Sequence, residues 1–262
     1  MKHYLRVYRR LLILNLERLL EYRVHTLNSL ISSLTWGFFS FVTILLLTSR
    51  VQSIYGWNRE ELLILTAAYN VIIGIFHTIF TRNFERFSEL VHFGQLDQLL
   101  VKPMNSQFLI SFWFVSYTSL IRVILGTVII LWLLNILHLT ITLTTLIYFG
   151  LIMLIGLAFI YSVWFSLLTI TIWHSNLSNL VDLLYTVTGS ARFPENMFLK
   201  ARNFALIFLL PITLVVSTPT KLLFQKATMF DILLLTFCAL ISIFFSKIFW
   251  NYALRSYTSA SS

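Results

Sequence analysis

Charge is scarce in this sequence, and several other absences narrow what it can be. Only 11% of the 262 residues are Asp, Glu, Lys or Arg, against 58% hydrophobic ones, whereas a soluble domain carries about a quarter charged residues. The mean hydropathy of +0.84 therefore describes an integral membrane protein. Cysteine occurs once, at Cys238 in LLLTFCALISIFF, which excludes an intrachain disulfide and a cysteine-based metal site. None of the eight glycines opens a GxxxxGKS/T loop whose amides could cradle phosphates. The six histidines never adopt the HExxH spacing that sets two ligands on one helix face. The carboxylates, among them Glu60, Glu61, Glu85, Glu89, Asp182 and Glu195, fall in predicted loops, and Asp231 is placed to cap a helix. Intramembrane chemistry needs ionisable groups gathered at one depth, so no catalytic residue, metal or cofactor is expected in this chain.

What is abundant is apolar length. A bilayer core takes about 20 apolar residues per helix, and five stretches reach that: 27–48, 61–81, 107–134, 141–173 and 230–250. A sixth, 203–221, contains Pro211 and ends near Pro219, so a kink or break is expected there. The start, MKHYLRVYRR, is too basic and interrupted for a cleavable signal, so residue 1 is expected in the mature chain. No repeat or Gly/Ser-rich linker divides the sequence, and residues 1–262 read as one all-α, polytopic membrane domain with six transmembrane helices.

Six crossings put both termini on one side. Lys2, Arg6, Arg9, Arg10, Arg18 and Arg23 precede the first span, Arg82, Arg86 and Lys102 follow the second, Arg192, Lys200 and Arg202 follow the fourth, and Lys247 and Arg255 lie at the end. These fourteen face four on the other side: Arg50, Arg59, Lys221 and Lys226. The positive-inside rule then places both termini in the cytoplasm, in the cell's inner (plasma) membrane. The net charge of +9 is accounted for by this topology, not by nucleic acid, because no soluble domain offers a basic patch interleaved with aromatics.

Residues 1–26 carry Leu5, Tyr8, Leu12 and Leu16 at helical spacing among arginines, which predicts an amphipathic helix on the inner membrane surface. Arg122 is the one charge read as lying well inside a span. It either faces a translocation path, where it suits an anionic group, or pairs within the protein or snorkels. Trp57, Trp173 and Trp250 read as interfacial belt residues.

The cytoplasmic segment 84–103 stands apart. Phe84, Phe87, Leu90 and Val91 continue a helical stripe, Gly94 permits a sharp turn, and Leu96, Leu99 and Leu100 form a short apolar face beside Asp97, ending at Lys102 and Pro103. So short a helix is expected to dock against something.

Together GQLDQLLVKP, ARFPENMF (191–198) and the tail WNYALRSYTSASS resemble the six-helix permeases of the ABC-2 class of ATP-binding-cassette exporters. The tail looks like the Arg-Tyr-Ser-Ser-Ala-Ser ending of one subgroup, with Ser256 inserted and Thr258 replacing a serine. The resemblance implies an interfacial helix, a cytoplasmic coupling helix at 84–103, and a broken fifth segment. It also implies ABC ATPase subunits that hold ATP and Mg, a second copy or a paralogous permease, and export of a drug, lipid, glycan or peptide through the membrane. Phe87, Leu90, Gly94, Leu96, Asp97, Leu99, Leu100, Lys102 and Pro103 then become the ATPase contact. An ion-coupled secondary transporter or channel is the alternative, for which only Arg122 and scattered hydroxyls are available.

Overall fold

The computed structural model describes residues 2–51, 53–139, 141–174, 177, 179–199 and 204–257. Among these, five helices are long and apolar enough to cross a membrane: Arg23–Leu47, Arg59–His92, Tyr117–Ile136, Leu143–Ile172 and Met229–Ser256. The expected sixth corresponds to α11 (Phe204–Leu223), of which Leu209–Leu223 is apolar but shorter. The fold is an all-α membrane bundle. The one exception among the described residues is a short hairpin, Ser53–Ile54 with Trp57–Asn58, closed by Tyr55 and Gly56 at positive φ.

One rod organises the rest. Its most apolar window is 78% buried, against 17–33% in the other four spans, so those four face outward while Arg59–His92 forms the axis of the core. It opens with a capping box in which Asn58 and Glu61 exchange side-chain bonds with each other's backbone. It is built of α3 (Arg59–Phe76), a π-helical turn at His77–Thr81 and α4 (Arg82–His92). Against α3 packs α7 (Leu120–Ile136), and glycine lets the two backbones close up. A Cβ on Gly126 would sit 2.6 Å from the Ala67 carbonyl oxygen, and one on Gly74 2.7 Å from Val123.

The third span differs from expectation. In place of one helix over 107–134, α6 (Ser106–Phe112) stops, the chain crosses 113–116 without helix, and a 3₁₀ turn at Tyr117–Ser119 leads into α7. Such a buried break survives only where its backbone is satisfied from elsewhere, and three elements do so. The Asn83 amide donates to the Phe114 carbonyl and accepts from the Phe114 N–H, both at 2.8 Å. Asn15 donates to the Trp113 carbonyl at 3.1 Å. The Thr78 carbonyl, within the π turn, accepts from the Ser116 N–H at 2.8 Å.

The basic leader forms α1 (Lys2–Glu21), and α2 (Arg23–Leu47) follows after a one-residue bend at Tyr22. The α1 helix docks on α6: Tyr8 packs edge-on against Phe112 at 5.9 Å, and Tyr117 donates to the Leu12 carbonyl at 3.0 Å. On the far side of the core lie α8 (Leu143–Thr169), α9 (Leu180–Gly189), α10 (Asn196–Leu199), α11 and α12 (Met229–Ser256). Of the kink or break expected in α11, a break does not occur, for the helix runs on through Pro211 and Pro219. The hydroxyls of Thr213, Ser217 and Thr220 fold back onto carbonyls around the prolines, one of the ways a spanning helix accommodates proline. Asp231 caps α12 as the third residue of a box whose cap is Thr228. Of the three expected belt tryptophans, Trp57 and Trp250 are buried in the core and Trp173 alone is exposed.

Candidate functional site

At the end of the rod remote from Glu61, α4 buries Phe84, Phe87, Leu90 and Val91, the stripe expected from their spacing, and turns Glu85, Arg86 and Glu89 outward. The helix then closes in a two-bond C-terminal motif: the Gln95 N–H donates to the Leu90 carbonyl at 2.7 Å and the Gly94 N–H to Val91 at 3.1 Å. Gly94 sits at φ +67°, the left-handed geometry this motif requires, and the chain reverses there.

The helical core of the next segment is shorter than expected, with α5 covering only Asp97–Leu100. Its apolar face does dock, but on its own chain. Leu96 is fully buried, and Leu99 and Leu100 are half-buried against the core cluster. Phe87, Leu90 and Leu96, assigned from the resemblance to an ATPase contact, are therefore core residues here, because burying apolar surface in the bundle outweighs leaving it bare for a partner. The outward surface is another set: Phe93, 68% exposed, Val101, 80% exposed, and the exposed Gln95, Gln98 and Pro103. Nothing in the alternation of 84–103 distinguished these faces, since both carry apolar residues. Lys102 lies over the Trp113 ring at 3.9 Å, fixing the segment to the break between α6 and α7.

The tail reaches the same place. Trp250 donates to Ser106 Oγ at 3.1 Å and packs on Phe87 and Phe165 at 5.8 and 5.2 Å. The Tyr257 phenol stands beside Asp97; burial first, and then the Asp97 carboxylate, push its pKa up, so it stays neutral at physiological pH. Two of the three motifs noted in the sequence thus meet. Residues 258–262 of the tail lie outside the described residues.

The third motif lies at the opposite end. Glu195 pairs with Lys221, which also binds Asp231 at 3.0 Å, and Asn196 donates to the Tyr55 carbonyl at 3.1 Å. These partners flank the hairpin after α2 and the turn before α12, where Lys226 pairs with Glu61. ARFPENMF is therefore not on the α5 side, as expected, because a buried carboxylate demands a cation partner and Lys221 supplies it at that end. Lys200 and Arg202 lie outside the described residues.

Within the bundle Arg122 is buried, and its Nε and Nη2 donate to Asn70 Oδ1 at 3.3 and 3.2 Å. Asn70 in turn donates to Ser40 Oγ at 2.8 Å and to the Thr66 carbonyl at 2.9 Å, so one polar network ties α2, α3 and α7. Arg122 is thus paired inside the protein and does not snorkel. Sequence reasoning missed its companion. Arg192 comes near enough to Tyr69 for both arginines to act on that side chain, and its Nε is buried without a hydrogen-bond partner among the described residues. Counting Arg192 among loop charges concealed this.

Comparison with known proteins agrees with this architecture. The family model described as ABC-2 family transporter protein matches residues 34–261, nearly the whole chain. No curated protein and no solved structure matches. With the membrane bundle and this match together, the chain belongs to the ABC-2 family and is a membrane-spanning permease of an ABC transporter.

Proposed function

We propose that this permease is the membrane half of an exporter whose ATP and Mg are held by separate ATPase subunits. It works beside a second copy or a paralogous permease, moves an amphipathic or hydrophobic substrate outward, and keeps both termini in the cytoplasm. The reading is supported by one observation above all. A buried rod ends in a fixed reversal that presents Phe93 and Val101 bare on an otherwise polar surface, the arrangement through which a soluble partner's push enters a bundle. Apolar side chains so exposed mark contact sites. The topology keeps its support: with Lys200 and Arg202 set aside and Arg192 moved to the opposite end, eleven basic residues on the α5 side still face five.

The test is the Phe93→Glu, Val101→Glu double variant, expressed with its ATPase. It should insert and melt as the wild type does, while ATPase recovery falls at least tenfold and ATP-dependent export stops. Normal recovery with normal export would overturn the proposal. Leu96→Glu serves as the contrast, since it should lower folding itself.

A further inference from the structure

The bend between α1 and α2, the outward face of α4 and the break before α7 line a half-open cavity of about 810 Å³. A water molecule's share of volume is roughly 30 Å³, so the space admits a sizeable polar group. Its wall holds three guanidiniums around one ring. The Cζ atoms of Arg86, Arg82 and Arg18 lie 4.8, 5.3 and 5.4 Å from the Phe114 centroid, so no two of them are more than about 11 Å apart. The ring is not free to move away, because Asn83 binds both backbone polar atoms of Phe114.

Three like charges held this close call for an anion. The ion pairs among the described residues involve Lys221 and Lys226, at the far end of the bundle, and none of these arginines. Two carboxylates, Glu85 and Glu89, and His25 also line the cavity. Glu85 accepts from the Tyr185 hydroxyl at 2.6 Å, and the lining as a whole sets three guanidiniums against two carboxylates.

The depth points to the anion's nature. Arg82 lies 23 residues along the rod from Arg59, roughly 35 Å at 1.5 Å per residue, and a hydrocarbon core is about 30 Å thick. With Arg59 at one face of the membrane, Arg82 reaches the headgroup layer of the other. Beside the cavity the α1–α2 bend exposes Leu20, Val24, Leu27 and Ile31, apolar side chains suited to acyl chains.

We propose that this cavity binds the headgroup of an anionic membrane phospholipid, one with no cation beside its phosphate, the phosphate held by Arg18, Arg82 and Arg86 and the acyl chains lying along α2. Guanidinium forks match phosphate oxygens, and binding here clamps α1 to the break between α6 and α7.

The test titrates the full chain, in dodecyl maltoside, with dioleoylphosphatidylglycerol or with dioleoylphosphatidylcholine, which has the same acyl chains. Native mass spectrometry counts bound lipid and melting reports its effect. Phosphatidylglycerol should bind at least tenfold more tightly than phosphatidylcholine. Arg82→Gln, Arg86→Gln should abolish that preference, whereas Arg9→Gln, Arg10→Gln, on the exposed side of α1, should keep it. Should the first double variant fail to fold, Arg18→Gln alone should reduce the preference at least threefold. Equal binding of the two lipids, a preference unchanged in the cavity variants, or one lost equally in the Arg9, Arg10 control would overturn the proposal. Protection by 10 mM glycerol phosphate as strong as that by the lipid would also overturn it, in favour of a soluble phosphate ligand.

Discussion

Replacing Asn83 with leucine, a residue of similar size with no polar atoms, tests how the broken third span is held. The substitution leaves the Phe114 N–H and carbonyl without the two 2.8 Å partners they have now. A buried backbone group stripped of its partner costs about 1–3 kcal/mol, so the two together cost roughly 2–6 kcal/mol. The cavity beside Phe114 can supply water to one of them, which favours the lower half of that range. Against a typical stability of about 5–15 kcal/mol, such a loss should lower the melting temperature on the order of 5–10 °C. Melting in detergent, followed by tryptophan fluorescence, measures it, and limited proteolysis should show new cleavage between 113 and 119. Asn15→Leu removes a single, longer bond to the Trp113 carbonyl and should cost less. A melting temperature for Asn83→Leu within 1 °C of wild type, with the same proteolytic pattern, would refute the reasoning.

Glycine positions offer a paired test: Gly126→Ala forces a Cβ to 2.6 Å from the Ala67 carbonyl oxygen and should destabilise by about 1–3 kcal/mol, whereas Gly150→Ala meets nothing within 4 Å and should gain roughly 0.5–1 kcal/mol. Thermal melts of the two variants should therefore move in opposite directions. Arg122→Leu should lower expression and stability by stranding Asn70 Oδ1, and adding Asn70→Leu should cost less than the two single losses combined, as a double-mutant cycle will read. For topology, single cysteines in a Cys238→Ser background should react with an impermeant reagent from outside at Asn135 and Lys226, and at Ser261 only after permeabilisation.

Much of the bundle was legible because apolar length and helical spacing are local. The stripe Phe84, Phe87, Leu90, Val91, the reversal at Gly94 and the cap at Asp231 all follow from neighbours within a few residues. The break in the third span does not. Trp113, Phe114 and Val115 read as more spanning helix, and only Asn15, Thr78 and Asn83, 31 to 98 residues away for the two asparagines, supply bonds that let the helix stop. Arg192 and the 191–198 segment were misplaced for a related reason. Counting charge by loop assumes that a basic residue between spans stays in water, and Glu195 was instead drawn to Lys221 at the opposite end. Which side of α5 faces outward was equally hidden, since Leu96 and Val101 are alike in composition and differ only in what lies behind them.

The π turn at His77–Thr81 gives the central rod a phase as well as a length. An α-helix advances about 100° per residue, and a π turn accommodates one residue more than the α ladder around it. The α4 face is thereby set about 100° from where uninterrupted winding of α3 would carry it. That offset aims Asn83 at Phe114 and, thirteen residues later, Leu96 at the core. Deleting one residue between 77 and 81 would take out the extra residue and leave α4 and α5 facing as they do now, whereas forcing the turn into plain α winding without a deletion would swing both by about 100°. The angular setting of this single turn, more than the composition of the segment it carries, decides which face of the chain a neighbour meets.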